Sequence, residues 1–293
     1  MRDFEGYGRN PPDPRWPNGA KLALNFVINH EEGGEESFPD GDPRSENALT
    51  EGSTAPVKGR DLAAESMFQY GSRVGFWRLH RLFTERGLPC TVFAVARALE
   101  RTPQAAAAMR EAGWDVDGHG LRWEMHIGME EAEERQRIAD ATALITRMIG
   151  TPPLGWYTRY APSLNTRRLL AEAGYLYDSD AYDDELPYWR DLRGTPRLVV
   201  PYNLAHNDVR FQRTALTTGE EFFHYIKGAV ELLLSEPNGR MLSVGLHNRI
   251  IAHPGRATGL AKLLDWVATQ PQVWVCRRGD IARHWIAEHP PGR

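Results

Sequence analysis

Side chains that can carry acid–base chemistry follow four segments of this 293-residue chain that have the apolar character of buried strands. The residues are Glu31 with Glu32, His119, Arg159 and His247, each at or just beyond the last apolar residue of its segment. An imidazole titrates near neutral pH, a carboxylate can activate water, and a guanidinium can hold a carbonyl or carboxylate oxygen. Taken singly, each residue also has an ordinary structural explanation. The histidines could be loop or core residues, the glutamates part of a solvated acidic loop, and the arginine a partner in a structural ion pair. Together they favour one functional site if the four strands end at the same edge.

Alternating strand and helix patterns predict that the strands do share an edge. Strands are predicted over 21–29, 89–96, 114–118, 154–159, 198–202, 240–247 and 273–276, and helices over 75–86, 103–111, 130–149, 165–173, 220–234, 257–269 and 280–287. Repeated strand–helix units without a linker indicate one α/β domain, 1–293, with parallel strands. No GxGxxG follows the first strand, which favours a (β/α) barrel over a dinucleotide-binding sheet. In such barrels the chemistry lies at the carboxyl ends of the strands.

Two segments stand outside this alternation. Residues 1–20 are rich in Pro, Gly, Asn and Arg, and they are predicted to form an N-terminal arm. Residues 30–60 are acidic and rich in Gly, Ser and Pro. A stretch of that length without a helix or strand pattern is typical of disorder or of a functional loop, and we predict a long active-site loop.

Composition and charge exclude several classes of protein. Hydrophobic residues make up 41% and charged residues 25%, which are ordinary globular values and exclude gross disorder. The formal net charge of −4 argues against a strongly basic nucleic-acid binder. No apolar run approaches the roughly 20 residues of a membrane span, and acidic residues interrupt the N-terminus where a secretory signal would be apolar. We therefore expect a cytoplasmic protein without a membrane or nucleic-acid partner, whose two cysteines, Cys90 and Cys276, are buried free thiols.

Several motifs occur in a fixed order along the chain. They are GYGRNPP (6–12), NHEEGGE (29–35), YGSRVGFWRL (70–79), GHGLRW (118–123), GWYTR (155–159), the run 165–189, LHNR (246–249) and IARHW (281–285). With these motifs the chain resembles the polysaccharide deacetylase superfamily, and more narrowly its branch of metal-independent allantoinases and bacterial cyclic imide hydrolases. The resemblance implies a distorted (β/α) barrel of about seven parallel strands, which agrees with the fold predicted from the strand and helix patterns.

The chain departs from the metal-dependent members of that superfamily at two positions. Those enzymes place a general-base aspartate and a metal-binding aspartate after the first strand, and two metal-binding histidines in HxxxH. Asn29 stands at the position of the base and Trp123 at that of the second histidine; a carboxamide cannot activate water, and an indole nitrogen only donates. A catalytic metal typically needs three protein ligands, whereas His119 and Glu31 supply two, and His126 has the wrong spacing for a third. We predict no catalytic metal and no cofactor.

The resemblance also suggests roles for individual residues. It assigns His247 the role of proton donor to the leaving group, with Glu31 and Glu32 as the candidate water-activating or substrate-holding carboxylates and His119 as a further catalytic residue. Asn29, Tyr7, Trp123, Trp156, Arg159 and Asn248 are the predicted substrate-binding residues. The two tryptophans are expected to form aromatic walls, with core packing as the alternative. Tyr7 would reach the site from the N-terminal arm, unless the arm serves subunit packing.

A substrate that reacts without a metal should contain an activated amide. Imides and hydantoins qualify because two carbonyl groups share one nitrogen, which makes that nitrogen a better leaving group. We predict a hydrolase that opens a small cyclic imide or ureide at one C–N bond, with a cyclic imide hydrolase (imidase) as the first choice. GHGLRW and LHNR differ from the SHGYRW and LHCR of allantoinases, which puts strict allantoin specificity in doubt.

Three alternatives to the imide hydrolase stay open. They are an allantoinase, a metal-dependent deacetylase of N-acetyl sugars and a barrel-shaped binding protein without activity. The retained His247 argues against the binding protein. The resemblance further implies a homo-oligomer, most often a tetramer.

Overall fold

Strands in the described part of the chain form one curled sheet. The computed structural model describes residues 2–52, 55, 57–213 and 215–291. The strands are β1 (Leu22–His30), β2 (Thr91–Ala94), β3 (Asp115–Gly118), β4 (Gly155–Trp156), β5 (Tyr177–Asp178), β6 (Tyr188–Leu192), β7 (Thr195–Val199), β8 (Arg240–His247) and β9 (Val273–Val275).

Helices follow most of the strands and cover the outside of the sheet. They are α1 (Leu62–Tyr70), α2 (Phe76–Thr84), α3 (Ala96–Arg101), α4 (Pro103–Glu111), α5 (Glu131–Ile149), α6 (Thr166–Glu172), α7 (Val209–Gln212), α8 (Gly219–Ser235), α9 (Pro254–Val267) and α10 (Arg278–Glu288). A π-helical segment, Gly71–Gly75, joins α1 to α2 without a break.

The sheet has the order β6-β7-β5-β4-β3-β2-β1-β8, and β9 also pairs with β1. Every pairing is parallel except the β6–β7 hairpin. β8 follows one edge of β1 from Leu22↔Arg240 to Asn29↔His247, so β2 and β9 share its other edge. The predicted single-domain, barrel-like α/β fold is confirmed; the described residues contain eight parallel strands rather than about seven, plus one antiparallel strand.

The free edge of β8 is covered by an irregular segment, residues 200–208. Gly245 donates its N–H to His206 O at 3.1 Å, and Asp208 donates its N–H to Gly245 O at 3.0 Å. A Cβ atom on Gly245 would lie 2.2 Å from Asn207 Nδ2 and 2.3 Å from Tyr202 Oη, so this close approach requires glycine. The contact carries Asp208 to the carboxyl end of β8.

The interior of the sheet is filled with side chains. All nine residues of β1 are buried, as expected for a central strand covered on both faces. Arg278, at the start of α10, is fully buried and donates to the side chains of Asn25, Ser243 and Ser179. These side chains fill the interior of the sheet below its carboxyl end.

Several boundaries differ from the sequence prediction. β5 and β6 were not predicted, and the β4 ladder is only two residues long instead of covering 154–159. The predicted loop 30–60 is followed directly by α1, also unpredicted, and it contains a short 3₁₀ turn at Phe38–Asp40. Both cysteines are buried and free, as predicted. Within the described residues, no helix combines the length and apolar character that crossing a bilayer would demand.

Candidate active site

Glu31 follows β1 directly and lies between three cationic or basic side chains. Its Oε1 is 3.2 Å from His119 Nε2 and 3.5 Å from His247 Nε2, and its Oε2 is 2.8 Å from Arg249 Nη2. Burial alone would raise the pKa of Glu31, but the charges of His247 and Arg249 and the hydrogen bond with His119 hold it well below its usual range. Glu31 is therefore a buried carboxylate at neutral pH.

His247, the last residue of β8, is held by Asp208. Its Nδ1 lies 2.6 Å from Asp208 Oδ1, and its backbone N–H donates to Asp208 Oδ2 at 2.6 Å. Burial would lower the pKa of His247, but the carboxylates of Asp208 and Glu31 outweigh it and raise that pKa to about 9. At neutral pH His247 is an imidazolium with Nδ1–H directed to Asp208 and Nε2–H directed to Glu31.

His119 follows β3 and has a fixed ring orientation. Its Nδ1 is 2.6 Å from the carbonyl oxygen of Tyr157, and its ring stacks on the Tyr157 ring with centroids 5.1 Å apart. Because a carbonyl only accepts, Nδ1 carries a hydrogen. Nε2 is then the atom through which His119 exchanges a proton with Glu31 or with a ligand.

Glu32 and Asn248 lie behind Glu31 and not against the pocket. Glu32 binds Arg249 Nη1 at 3.0 Å and accepts from Asn248 Nδ2 at 2.8 Å, and Asn248 Nδ2 is also 3.1 Å from His30 Nδ1. Both side chains are buried, and neither lines the pocket. The prediction placed both side chains at the pocket, but in the structure Glu32 holds Arg249 and Asn248 holds Glu32 and His30.

Two glycines of the π-helical segment leave space for the contacts of Glu32 and Asn248. A Cβ atom on Gly71 would lie 2.5 Å from Glu32 Oε1, and one on Gly75 would lie 2.0 Å from the carbonyl oxygen of Asn248. Glycine at these two positions lets the helix approach the loops after β1 and β8. The Arg249 guanidinium is also placed 4.5 Å from the Phe68 ring of α1.

A small pocket opens in front of Glu31. It is lined by Asn29, Glu31, His119, Trp123, Tyr157, Arg159, Tyr160, Tyr202, Leu204, Asn207 and His247, around about 240 Å³ of space that includes open solvent. The predicted residues Glu31, His119, His247, Asn29, Trp123 and Arg159 are thus brought together. Asn29 Nδ2 donates to Leu246 O at 3.2 Å, which fixes its amide at the pocket floor.

Tyr160 lies on the pocket wall in a left-handed backbone conformation, with φ of 54°. Such a conformation is costly for a residue other than glycine and is found preferentially at functional sites. Burial and the nearby Glu31 carboxylate raise the pKa of Tyr160 to about 12, so its hydroxyl is neutral.

Arg159 lies at the pocket wall between Trp123 and the acidic loop. Its Nη1 donates to the carbonyl oxygen of Trp123 at 2.7 Å, and its guanidinium lies 3.6 Å from the centroid of the Trp123 ring. Its Nη2 is 2.8 Å from Glu46 Oε2. Residues 30–60 thus contribute to the site through Glu46, and also through Leu49 O, which accepts from Arg249 Nε at 3.0 Å.

Trp156 is part of the core and not a pocket wall, which corrects the prediction. Adjacent residues of a strand face opposite sides, and Tyr157 takes the inner side while Trp156 packs toward the helices. Its ring lies 5.8 Å from that of His126 and 5.6 Å from that of Tyr175, and its Nε1 donates to Thr158 Oγ1. Only Trp123 of the two tryptophans lines the pocket.

Tyr7 does not reach the pocket of its own chain, contrary to the prediction. Its hydroxyl donates to Pro187 O at 2.6 Å, and its ring packs 6.4 Å from that of Trp285. Trp16 belongs to the same apolar cluster and donates to the carbonyl oxygen of Arg240, the first residue of β8. The arm therefore covers the amino-terminal end of the sheet, opposite the pocket.

The residues present do not fit a catalytic metal. Across the ranges 2–52, 57–213 and 215–291, no group of three or more His, Cys, Asp or Glu side chains is arranged to hold a metal ion. His126, the sequence candidate for a third ligand, is directed elsewhere, with Nδ1 3.0 Å from Glu134 Oε1. Glu31 has Oε2 bound to Arg249, and Trp123 offers no lone pair.

Sequence reasoning missed several pocket residues and their partners. These are Asp208, Tyr157, Tyr160, Tyr202, Leu204, Asn207 and Arg249. Tyr157 and Tyr160 stand beside Arg159 in GWYTRY, and Arg249 ends LHNR, so these motifs contained them. Nothing in the sequence marks Asp208, which lies in an irregular segment.

Comparison with known proteins finds that this chain is similar to polysaccharide deacetylases. A family model described as polysaccharide deacetylase matches residues 59–177. A putative polysaccharide deacetylase of Schizosaccharomyces pombe is 36% identical over 316 aligned positions, covering 99% of this chain and 98% of the relative.

Two solved structures match over nearly the whole chain. A probable polysaccharide deacetylase from Pseudomonas aeruginosa PAO1 is 45% identical with a TM-score of 0.94, covering 99% of both chains. Puue allantoinase is also 45% identical with a TM-score of 0.93, covering 99% of this chain and 98% of that one. These two relatives carry different activities in their names at the same identity.

Proposed function

This chain belongs to the polysaccharide deacetylase family, and from that premise we propose that it opens the ring of a small cyclic imide or ureide by hydrolysing one C–N bond. It is a hydrolase of the deacetylase superfamily; the ring substrate is the proposal. The observation that carries it is the Glu31 carboxylate, placed between Nε2 of His119 and Nε2 of His247 in an enclosed pocket.

The geometry suggests a division of proton transfers. Glu31 accepts a proton from the attacking water, and His119, with Nδ1 committed to Tyr157 O and Nε2 facing Glu31, holds that carboxylate in place. As the C–N bond breaks, His247 gives its Nε2 proton to the leaving nitrogen. The new C–O bond leaves a carboxylic acid, which ionises to a carboxylate. Every step uses side chains of this chain, without a metal.

Substrate size follows from the enclosure of the pocket. The side chains of Glu31, His119 and His247 are each at most 4% exposed. Ion pairs such as Arg159–Glu46 and Arg122–Asp42 hold the acidic loop against the segments that follow β4 and β3. An enclosed pocket favours a small ring over an extended sugar chain, which requires an open groove.

Allantoin is a specific candidate beside a simple imide. Two departures from the allantoinase motifs, Leu121 and Asn248, do not line the pocket: Leu121 packs against the core and Asn248 holds Glu32. They no longer count against allantoin, and the similarity to a structure named as an allantoinase favours it. A cyclic imide keeps the same chemistry, with two carbonyls on one nitrogen.

The test is a substrate panel with metal-analysed protein. Succinimide, dihydrouracil, allantoin and an N-acetylated chito-oligomer are incubated separately, and ring opening or acetate release is followed. We expect opening of at least one ring and no comparable acetate release. Acetate release from the oligomer at a rate matching or exceeding ring opening would overturn the proposal in favour of a carbohydrate deacetylase, which the names of two relatives favour.

We also propose a homotetramer in the cytoplasm, as the sequence resemblance suggested. Light scattering of the purified chain measures the oligomer. A monomer at micromolar concentration would contradict it.

A further inference from the structure

We propose that Arg159 is a carboxylate-binding subsite and that Glu46 of the acidic loop occupies it as a stand-in for the ring-opened product. The inference rests on the proposed function, because ring opening converts a neutral substrate into a carboxylate. It adds a ligand class and a route of product release to the same pocket.

The first step is the position of Arg159. Among the described residues that line the pocket, Arg159 is the only arginine or lysine. Its Nη1 is anchored on Trp123 O and its guanidinium carbon lies 3.6 Å from the centroid of the indole ring. A guanidinium held in this way is preorganised for a carboxylate, because little conformational freedom is lost on binding.

The second step is the present partner of Arg159. Glu46 Oε2 lies 2.8 Å from Arg159 Nη2, and the Glu46 side chain is only 7% exposed. The backbone N–H of Ala48 donates to Glu46 Oε1 at 2.9 Å, which aims the carboxylate. A glutamate from the loop thus makes the contact that a ligand carboxylate would make.

The third step is the charge change during the reaction. A neutral imide or ureide leaves the Arg159–Glu46 pair intact. The product carboxylate is formed beside Arg159, and without a competitor it would be held tightly in a buried pocket. Exchange with Glu46 lowers the cost of losing the product, because Arg159 is never left unpaired.

The experiment measures binding without turnover. Isothermal titration is carried out with succinamate and allantoate, the acids formed from succinimide and allantoin, and with succinamide as a neutral comparator of the size of succinamate. The proteins are wild type, Glu46→Gln, Arg159→Gln and Glu51→Gln. Glu51 is the control: it lies in the same loop as Glu46, but its partner Arg256 belongs to α9 and does not line the pocket.

We expect Glu46→Gln to bind at least one acid about tenfold more tightly, which corresponds to about 1.4 kcal/mol, with succinamide unchanged. Arg159→Gln should abolish the preference for acid over diamide, and Glu51→Gln should match wild type. Unchanged or weaker acid binding by Glu46→Gln, or equal tightening of acid and diamide, would overturn the inference. Since no catalysis is required, the result is separable from the substrate panel: ring opening with unaltered acid binding contradicts only this inference.

Discussion

Asp208 hydrogen-bonds to His247 through both carboxylate oxygens: Oδ1 lies 2.6 Å from the ring Nδ1, and Oδ2 accepts the backbone N–H at 2.6 Å. Oδ2 also accepts the backbone N–H of Ile251 at 3.1 Å. One buried carboxylate therefore fixes the orientation of the imidazolium ring and the path of the chain after β8. The irregular segment that covers the β8 edge thus also orients the proton donor.

The first prediction concerns Asp208→Asn. The variant removes the negative charge that keeps His247 protonated, so the pKa of His247 should fall from about 9 toward its ordinary value of 6.5. We expect kcat at neutral pH to fall at least about 100-fold, within the usual share of general acid–base catalysis. The basic limb of the pH–rate profile should move to lower pH.

Asp178→Asn is the matched control for this variant. Asp178 is a buried carboxylate bound to Arg167, and it does not line the pocket. The Asp178→Asn variant should have a lower free energy of unfolding but an unchanged pH–rate profile. An Asp208→Asn enzyme whose basic limb stays in place would mean that Asp208 acts only on folding.

The second prediction separates two neighbouring carboxylates. Glu31→Gln should lose at least about 100-fold in kcat, because Glu31 lies between both imidazoles. Glu32→Gln should instead lower the free energy of unfolding by about 1–3 kcal/mol, because an amide cannot satisfy Arg249 and Asn248 at once. Its kcat should change less than that of Glu31→Gln.

Urea unfolding and steady-state kinetics on both variants decide the matter. Nothing in the sequence distinguishes the two glutamates. Equal losses of kcat at unchanged stability would restore Glu32 as a catalytic group.

The strand ends were predictable because they depend on a simple geometric rule. Long apolar runs identified β1 and β8, and parallel strands place their carboxyl ends at one edge. Glu31 and His247 could therefore be assigned to one site from the sequence alone. The helix predicted over 103–111 and the strand predicted over 240–247 coincide with the observed bounds, which confirms both.

Other parts of the site depend on contacts that no local pattern carries. The β4 ladder is two residues long, too short for an alternation that would tell Trp156 from Tyr157. Asp208 reaches His247 through backbone contacts of the irregular segment to Gly245, without a strand or helix pattern of its own. Tyr7 sits in a recognisable motif, but its direction is set by the apolar cluster around Trp285.

The third prediction concerns metal removal. The enzyme is treated with a chelator, and elemental analysis confirms that metal has been removed. Ring-opening activity should stay within about twofold of that of the untreated enzyme. The reason is that the pocket has Asn29 and Trp123 where metal-dependent relatives place aspartate and histidine. Activity that disappears with the metal and returns with zinc would contradict the proposed acid–base pathway.

The last prediction concerns the contribution of His247 to the pH dependence of folding stability. A folded-state pKa of about 9 against an ordinary 6.5 means that the folded protein binds this proton more tightly. The associated stabilisation is fully present below about pH 6.5 and is lost as the pH rises through about 9, with a size on the order of 2–4 kcal/mol. His247→Asn lacks this titration, so its free energy of unfolding should fall less than that of wild type across this window. Urea unfolding at a series of pH values measures this difference, and His224→Asn, at an exposed histidine, is the control. If the free energies of unfolding of wild type and His247→Asn depend on pH in the same way, the Asp208 contact does not hold His247 in its charged form.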